Sequence, residues 1–306
     1  MIRTDRPHLI VAAQSHPGET GKNNEDAFSV SSYALEVGKV PSLLAVVADG
    51  IGGHQAGEVA AKLAVETLVQ RVAGSTGREP LPVLRTAVVE AARAIQRAAS
   101  ASPDHEGMGS TIAVAWEIGG KLYTVYVGDS RIYFLRGAGL HRLTIDHTWI
   151  QEALDHGIIT PEEARNHPHA HVLRRHLGGT QDPQPDLRLR LRADESDARS
   201  QANQGLSLRV GDQLLLCSDG LTDLVTDAEI QTILGSHPPA TATQTLIDLA
   251  RARGGHDNIT VIVALVPAAR RRPRPLLPGL ALALALMLIL VAAGTLGLWW
   301  LGLWPW

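Results

Sequence analysis

Apolar residues recur along this chain in two periods, and turn-forming residues separate them. β-type runs lie at 9–13, 27–30, 43–48, 111–116, 122–127, 132–135, 214–217 and 259–266, bounded mostly by Gly, Asp, Asn and Pro. Two long segments, 57–72 and 81–99, are rich in alanine, with apolar residues three and four apart and Glu, Lys, Arg and Gln between them. That spacing predicts amphipathic helices packed on a sheet, and 241–253 reads the same way. Tight turns, grouped helices and the lack of strict β-α-β alternation predict an α+β fold of two stacked, largely antiparallel sheets with helices outside.

Between 145 and 179 the pattern changes to short helices rich in His, Glu and Arg, expected to be an inserted, surface-exposed subdomain, with Thr160-Pro161-Glu162-Glu163 as a helix start. Residues 188–192, RLRLR, alternate like an exposed strand, and 193–205 read as a polar, mobile loop.

The last pattern has no period. From Gly279 to Leu301 the chain carries no charge in 23 residues and is apolar all round, the length a helix needs to cross a hydrocarbon layer about 30 Å thick. Arg270, Arg271, Arg272 and Arg274 precede it, while Trp299, Trp300, Trp304 and Trp306 lie at its far end. By the positive-inside rule this predicts a single-pass membrane protein whose N-terminal domain is cytoplasmic. The only early apolar run, Leu9 to Ala13, is too short for a signal peptide. The expected organisation is a domain over 1–267, a basic, Pro-rich linker over 268–278, a transmembrane helix over 279–301 and a tail over 302–306.

Composition narrows the chemistry. The chain has 306 residues, 45% of them hydrophobic, and its single Cys217 excludes an internal disulfide and a cysteine-cluster metal site. A net charge of −3, which becomes −7 for residues 1–269 without the four juxtamembrane arginines, suggests no nucleic-acid partner. No GxxxxGK[ST] motif and no GxGxxG after a strand occur, so nucleotide binding is disfavoured. Any metal would be held by oxygen donors.

Aspartates mark the ends of the apolar runs. The run 43–48 stops at Asp49-Gly50, LLLC at Asp219-Gly220 and YV at Asp129, while Asp257-Asn258 opens another and Glu25-Asp26 stand before a fifth. One such acid is a turn residue. Six brought together repel one another unless cations neutralise them, and clustered carboxylates with water are the ligand set of Mg²⁺ or Mn²⁺.

The motifs NNEDAF, VADGIGGHQAGEVAA, GMGSTIAV, VGDSRIY, LTIDHTW, LLLCSDGLTDLV and GGHDNITVIV occur in this order. In them the chain resembles the metal-dependent Ser/Thr protein phosphatases of type 2C, in their compact bacterial form, over about residues 8–267. The resemblance implies a four-layer sandwich of two packed antiparallel β-sheets flanked by helices. It also implies a centre of two or three Mn²⁺ or Mg²⁺ ions and direct attack of a bridging water, without a phosphoenzyme. It makes Asp49 the ligand shared by two metals and Gly50 a ligand through its carbonyl. Asp219 and Asp257 complete the second site, Glu25 and Asp26 hold metal-bound waters, and Asp129 serves a third metal.

His54 is the candidate general acid, although the clearest catalytic histidine of the eukaryotic relatives directly follows the Asp-Gly pair, where this chain has Ile51. Where many relatives place an Arg, this chain has Gly21, and Lys22 is the candidate phosphate contact, a point charge in place of a guanidinium fork. His167, His169 and His171 read as a surface flap in preference to a metal site, Cys217 as a buried small residue, and Arg131 as an ion-pair partner that orients the acids. The function so implied is dephosphorylation of phosphoserine and phosphothreonine in proteins, with membrane Ser/Thr kinases and their substrates as partners. The alternatives are a small-molecule phosphomonoesterase and a catalytically inactive binding or sensory module.

Overall fold

The computed structural model describes residues 1–52, 56–164, 167–268 and 278–301, with side chains in the last segment only at 287–298, 300 and 301. The chain divides into two units, 1–267 and 268–306.

In the first unit the strands are β1 (Ile2–Arg3), β2 (Ile10–His16), β3 (Ala27–Ala34), β4 (Pro41–Ala48), β5 (Gly50–Ile51), β6 (Gly109–Ser110) and β7 (Ile112–Ile118). They continue with β8 (Lys121–Val127), β9 (Arg131–Arg136), β10 (Gly139–Arg142), β11 (Leu206–Ser207), β12 (Gln213–Cys217) and β13 (Ile259–Leu265). One sheet runs β1-β3-β4-β7-β8-β11, a second runs β10-β9-β12-β13-β2, and β5 pairs with β6 in a small ribbon. The pairings are antiparallel.

Strand β4 shows why the apolar runs are continuous. Leu44, Val46 and Ala48 face the core under the helices, while Leu43, Ala45 and Val47 face the core between the sheets, so both faces are buried. Strand β12 divides likewise, with Leu214 and Leu216 toward the first sheet and Leu215 and Cys217 toward the outer helices.

Helices α1 (Ala56–Ala73) and α2 (Pro80–Ala101) cover the first sheet. On α2 the buried residues are Leu84, Ala87, Val88, Ala91, Ala92 and Ile95, a single stripe at three- and four-residue spacing. Short helices α3 (Trp149–Asp155) and α4 (Pro161–Ala164) follow in the 145–179 segment, then α5 (Asp197–Ala202) and α6 (Asp219–Thr222). Helices α7 (Asp227–Ser236) and α8 (Pro239–Ala252) cover the second sheet, which completes four layers. Burial of each large aliphatic side chain here contributes about 1.5–3 kcal/mol.

Three expectations change. Residues 188–192 form no strand: Leu189 is buried in the inter-sheet core, so the alternation reflects an irregular segment with one face inward. The 193–205 segment is ordered by α5, whose N-cap Ser196 accepts from the Arg199 N–H at 3.3 Å. Helix α7 lies where no helix was expected, although its capping box of Thr226 and Glu229 is legible in the sequence.

The second unit contains the helix α9 (Pro278–Trp300). Among the described residues no helix is long and apolar enough to cross a membrane, so the structure does not show the expected transmembrane helix over 279–301. The arginines at 270–274 and the tail 302–306 lie outside the described residues.

Candidate metal centre

The end of β4 is tied to the neighbouring strand. The Asp49 N–H donates to Thr111 Oγ1 at 2.9 Å, and its carbonyl accepts from the Thr111 N–H at 2.8 Å and the Ser110 hydroxyl at 3.0 Å. With its backbone anchored on both sides, the Asp49 carboxyl is held at the sheet edge. Gly50 follows because nothing larger fits: a Cβ there would stand 2.1 Å from the Gly57 carbonyl oxygen and 2.7 Å from that of Glu25. Gly220 repeats the device beside Asp219, where a Cβ would stand 2.1 Å from the Asn258 carbonyl oxygen.

Other strand ends converge on the same place. Strand β12 delivers Asp219, the start of β13 delivers Asp257, β8 leads to Asp129, and Glu25 and Asp26 precede β3. A cleft of about 580 Å³ is lined by Lys22, Glu25, Asp49, Gly50, Asp129, Asp219 and Asp257, together with Thr111, His171 and Asn258. Asp26 joins from beneath, where its Oδ2 accepts from the Ser218 hydroxyl at 2.7 Å.

The acids of the cluster outweigh the groups that compensate them. Burial, then Asp26, Asp219 and Asp129, push the Asp49 carboxyl well above the usual carboxylate range. Burial, with Asp219 and Asp257, raises Asp26 to about 7 against hydrogen bonds from Thr260 and Ser218. Burial and then Asp219 raise Asp129 well above its usual range, and Arg131 opposes them only in part. Burial and Asp257 raise Glu25, while Lys22 pulls it down. Asp26 Oδ1 and Asp219 Oδ1 are buried without a hydrogen-bond partner. Buried, unpartnered carboxylate oxygens next to one another are the donor set that hard divalent cations take, so the residues fit such ions.

The structure therefore brings together eight of the nine residues singled out in the sequence: Lys22, Glu25, Asp26, Asp49, Gly50, Asp129, Asp219 and Asp257. His54, the ninth, lies outside the described residues. Gly21 has φ +73° with open space around it, so the backbone here is in a conformation that an L side chain adopts only under strain.

Sequence reasoning missed three supporting residues. Asn258 accepts from the Glu25 N–H at 2.7 Å and donates to the Pro17 and Asn23 carbonyls, fixing the segment that carries Glu25. Ser218 and Thr111 hold Asp26 and the Asp49 backbone. Their signal was adjacency to the acids and to the strand ends, which hydrophobic patterning does not score.

The flap histidines separate. His171 lines the cleft, its Nδ1 3.9 Å from Asp219 and 3.6 Å from Asp223, and the Asp219 and Asp223 carboxylates raise it to about 9 against its burial. His167 and His169 instead pack on Trp149, at ring-centroid distances of 4.8 and 5.3 Å. Arg131 pairs with Asp146 at 2.7 Å. Cys217 is buried, and burial pushes its thiol up to about 12, which leaves it un-nucleophilic near neutral pH.

Comparison with known proteins gives the family. The family described as Protein phosphatase 2C matches residues 14–250. The chain is 38% identical over 272 residues to serine/threonine protein phosphatase PstP of Mycobacterium tuberculosis, covering 89% of this chain and 48% of that protein, so it spans about half of that relative's length. It is 33% identical over 249 residues to protein phosphatase PhpP of Streptococcus pneumoniae, covering 80% of this chain and 92% of that one. The crystal structure of M. tuberculosis PstP/Ppp superposes with a TM-score of 0.71 at 36% identity, covering 85% of this chain and 99% of that one. The PstP catalytic domain in complex with two manganese ions gives 0.69 at 36% identity, covering 85% and 99%. With the profile spanning most of its sandwich unit, the chain belongs to the protein phosphatase 2C family.

Proposed function

We propose that this chain is a metal-dependent phosphatase of phosphoserine and phosphothreonine in proteins, and the cluster of crowded, incompletely compensated carboxylates at one cleft carries the reading. In this reading Asp49, the Gly50 carbonyl, Asp219 and Asp257 would hold two Mn²⁺ or Mg²⁺ ions, Glu25 and Asp26 would act through waters, and Asp129 would serve a third ion. When bound, such ions lower the pKa of water and offset charge on the attacking and leaving oxygens of a phosphoryl transfer.

The protein's own groups supply the rest. The carboxylates keep the cleft anionic, so a phosphomonoester is repelled until cations are loaded. Lys22 at the rim offers a point charge to the phosphate, and Thr111 and Asn258 keep the acid-bearing backbone in place. The buried thiol of Cys217 offers no nucleophile, consistent with direct attack by water and no phosphoenzyme. Protonation of the leaving alkoxide falls to His54.

The same reading makes 1–267 the catalytic domain, with 145–179 as its flap, and 268–278 a basic linker to a membrane span over 279–301. The uncharged stretch 279–301 and the arginines before it are the sequence features that support a membrane span, and with it a cytoplasmic catalytic domain acting on membrane Ser/Thr kinases and their substrates.

The deciding assay is hydrolysis of a phosphothreonine peptide with Mn²⁺, with Mg²⁺ and with chelator. Turnover that requires metal is expected, and its absence from folded, metal-loaded protein would overturn the reading. Sedimentation with membranes through an alkaline wash is the outcome expected of the full chain. Release into the supernatant would remove the anchor.

A further inference from the structure

A second cavity, of about 600 Å³, shares no lining residue with the acidic cleft, and its charge has the opposite sign. Three guanidiniums line it, from Arg85 on α2, Arg175 at the end of the 145–179 segment, and Arg188, against the two carboxylates of Asp186 and Asp197.

Both carboxylates are already engaged by Arg188. Its Nε donates to Asp186 at 2.9 Å and its Nη1 to Asp197 at 2.9 Å. Asp186 is also bonded to His147 Nε2 at 3.1 Å. Arg85 and Arg175 form no ion pair among the described residues. Arg175 stands close enough to His147 to add to the lowering of its imidazole, which burial begins and Asp186 opposes. A fixed arginine fork is thus flanked by two unneutralised ones, on a unit whose residues 1–269 carry −7 overall.

No aromatic side chain lines the cavity, so a nucleobase has nothing to stack on. Guanidinium forks match the oxygens of a phosphate, and the volume leaves room for the side chain that bears it. We propose that this cavity is a second phosphate site, for a phosphomonoester on a polypeptide or for phosphate itself, in which no bond is broken. The anion chemistry stands on this cavity alone, whereas the choice of phosphorylated proteins as its source rests on the phosphatase reading.

The test uses the full chain in detergent with chelator, because without cations the acidic cleft repels phosphate and the basic cavity is read alone. A fluorescent phosphothreonine peptide is expected to bind, its unphosphorylated form is not, and the Arg85→Ala/Arg175→Ala double variant should bind at least about tenfold more weakly. Displacement by inorganic phosphate, sensitive to the same two substitutions, would identify free phosphate as a ligand, and failure to displace would identify the polypeptide-borne group. Equal binding by parent and double variant, or no binding by either, overturns the proposal. Turnover of p-nitrophenyl phosphate with Mn²⁺ should be the same in both proteins; its loss in the variant alone would place the arginines in the catalytic cleft and also overturn it. Absence of that turnover from both would sink the phosphatase reading while leaving the binding result to stand on its own.

Discussion

Asp49 and Asp186 are both held largely out of water by the same sandwich, and their surroundings drive them in opposite directions. Around Asp49 stand Asp26, Asp219 and Asp129, and burial together with these charges pushes its carboxyl well up. Around Asp186 stand His147 and Arg188. Burial would raise this carboxyl too, but hydrogen bonds from both partners outweigh it and hold Asp186 well below the usual range. The same fold that gives one buried acid enough partners to hold its charge gives a cluster of others too few. Under the proposed function the poorly compensated cluster is where cations would enter, whereas the partnered acid is structural.

The largest effect should come from Asp49→Ala. If the cluster exists to hold metal, turnover should fall by at least about 10³-fold, several kcal/mol of transition-state stabilisation at 1.36 kcal/mol per tenfold. The folded domain should persist, since the acid lies at a strand end. A variant with most of its activity intact would break the comparison at its first member.

Asp186→Ala should act on stability. It leaves His147 and Arg188 without their shared partner, and urea denaturation should report a loss of about 3–5 kcal/mol. A loss below about 1 kcal/mol would mean that water replaces the carboxylate.

The two acids should also differ in pH dependence. Asp26, in the raised cluster, has its folded value at about 7 against 3.8 for an ordinary aspartate, so between these values the folded state binds the extra proton. Stability of the metal-free protein should therefore fall as pH rises from about 4 to about 7, and added Mn²⁺ should reverse the fall. Asp186 is depressed, so its contribution is present above the ordinary aspartate value and is lost only as pH falls below it. Thermal melts in chelator from pH 5 to 8 check the first slope, and a flat profile would remove the like-charge argument.

The smallest effect expected is at the rim. Lys22→Arg supplies a fork in place of a point charge and should lower KM for a phosphopeptide about fivefold, with kcat nearly unchanged. Gly21→Arg should do less, because φ +73° at that position strains any L side chain.

Much of this was legible before the fold was known, for identifiable reasons. Strands β4, β7, β12 and β13 are buried on both faces and so read as unbroken apolar runs, and α2 shows its stripe at helical spacing. The acids stood out because each interrupts such a run. The two-residue strands β5 and β6 are too short for any period, yet they hold Gly50 against Ser110. The alternation of 188–192 misled because one inward face looks the same in a strand and in an irregular segment.

The sequence by itself determined the layers, the family motifs and which carboxylates stand at strand ends, because hydrophobic period and residue type are local properties written along the chain. Only the tertiary structure decided that Asn258, Ser218 and Thr111 brace the acids, that His171 leaves its neighbours to join the cleft, and that Arg85, Arg175 and Arg188 meet at one cavity. Those relations join residues tens to hundreds of positions apart. Proximity of that kind is set by how sheets and helices pack, and no spacing along the chain encodes it.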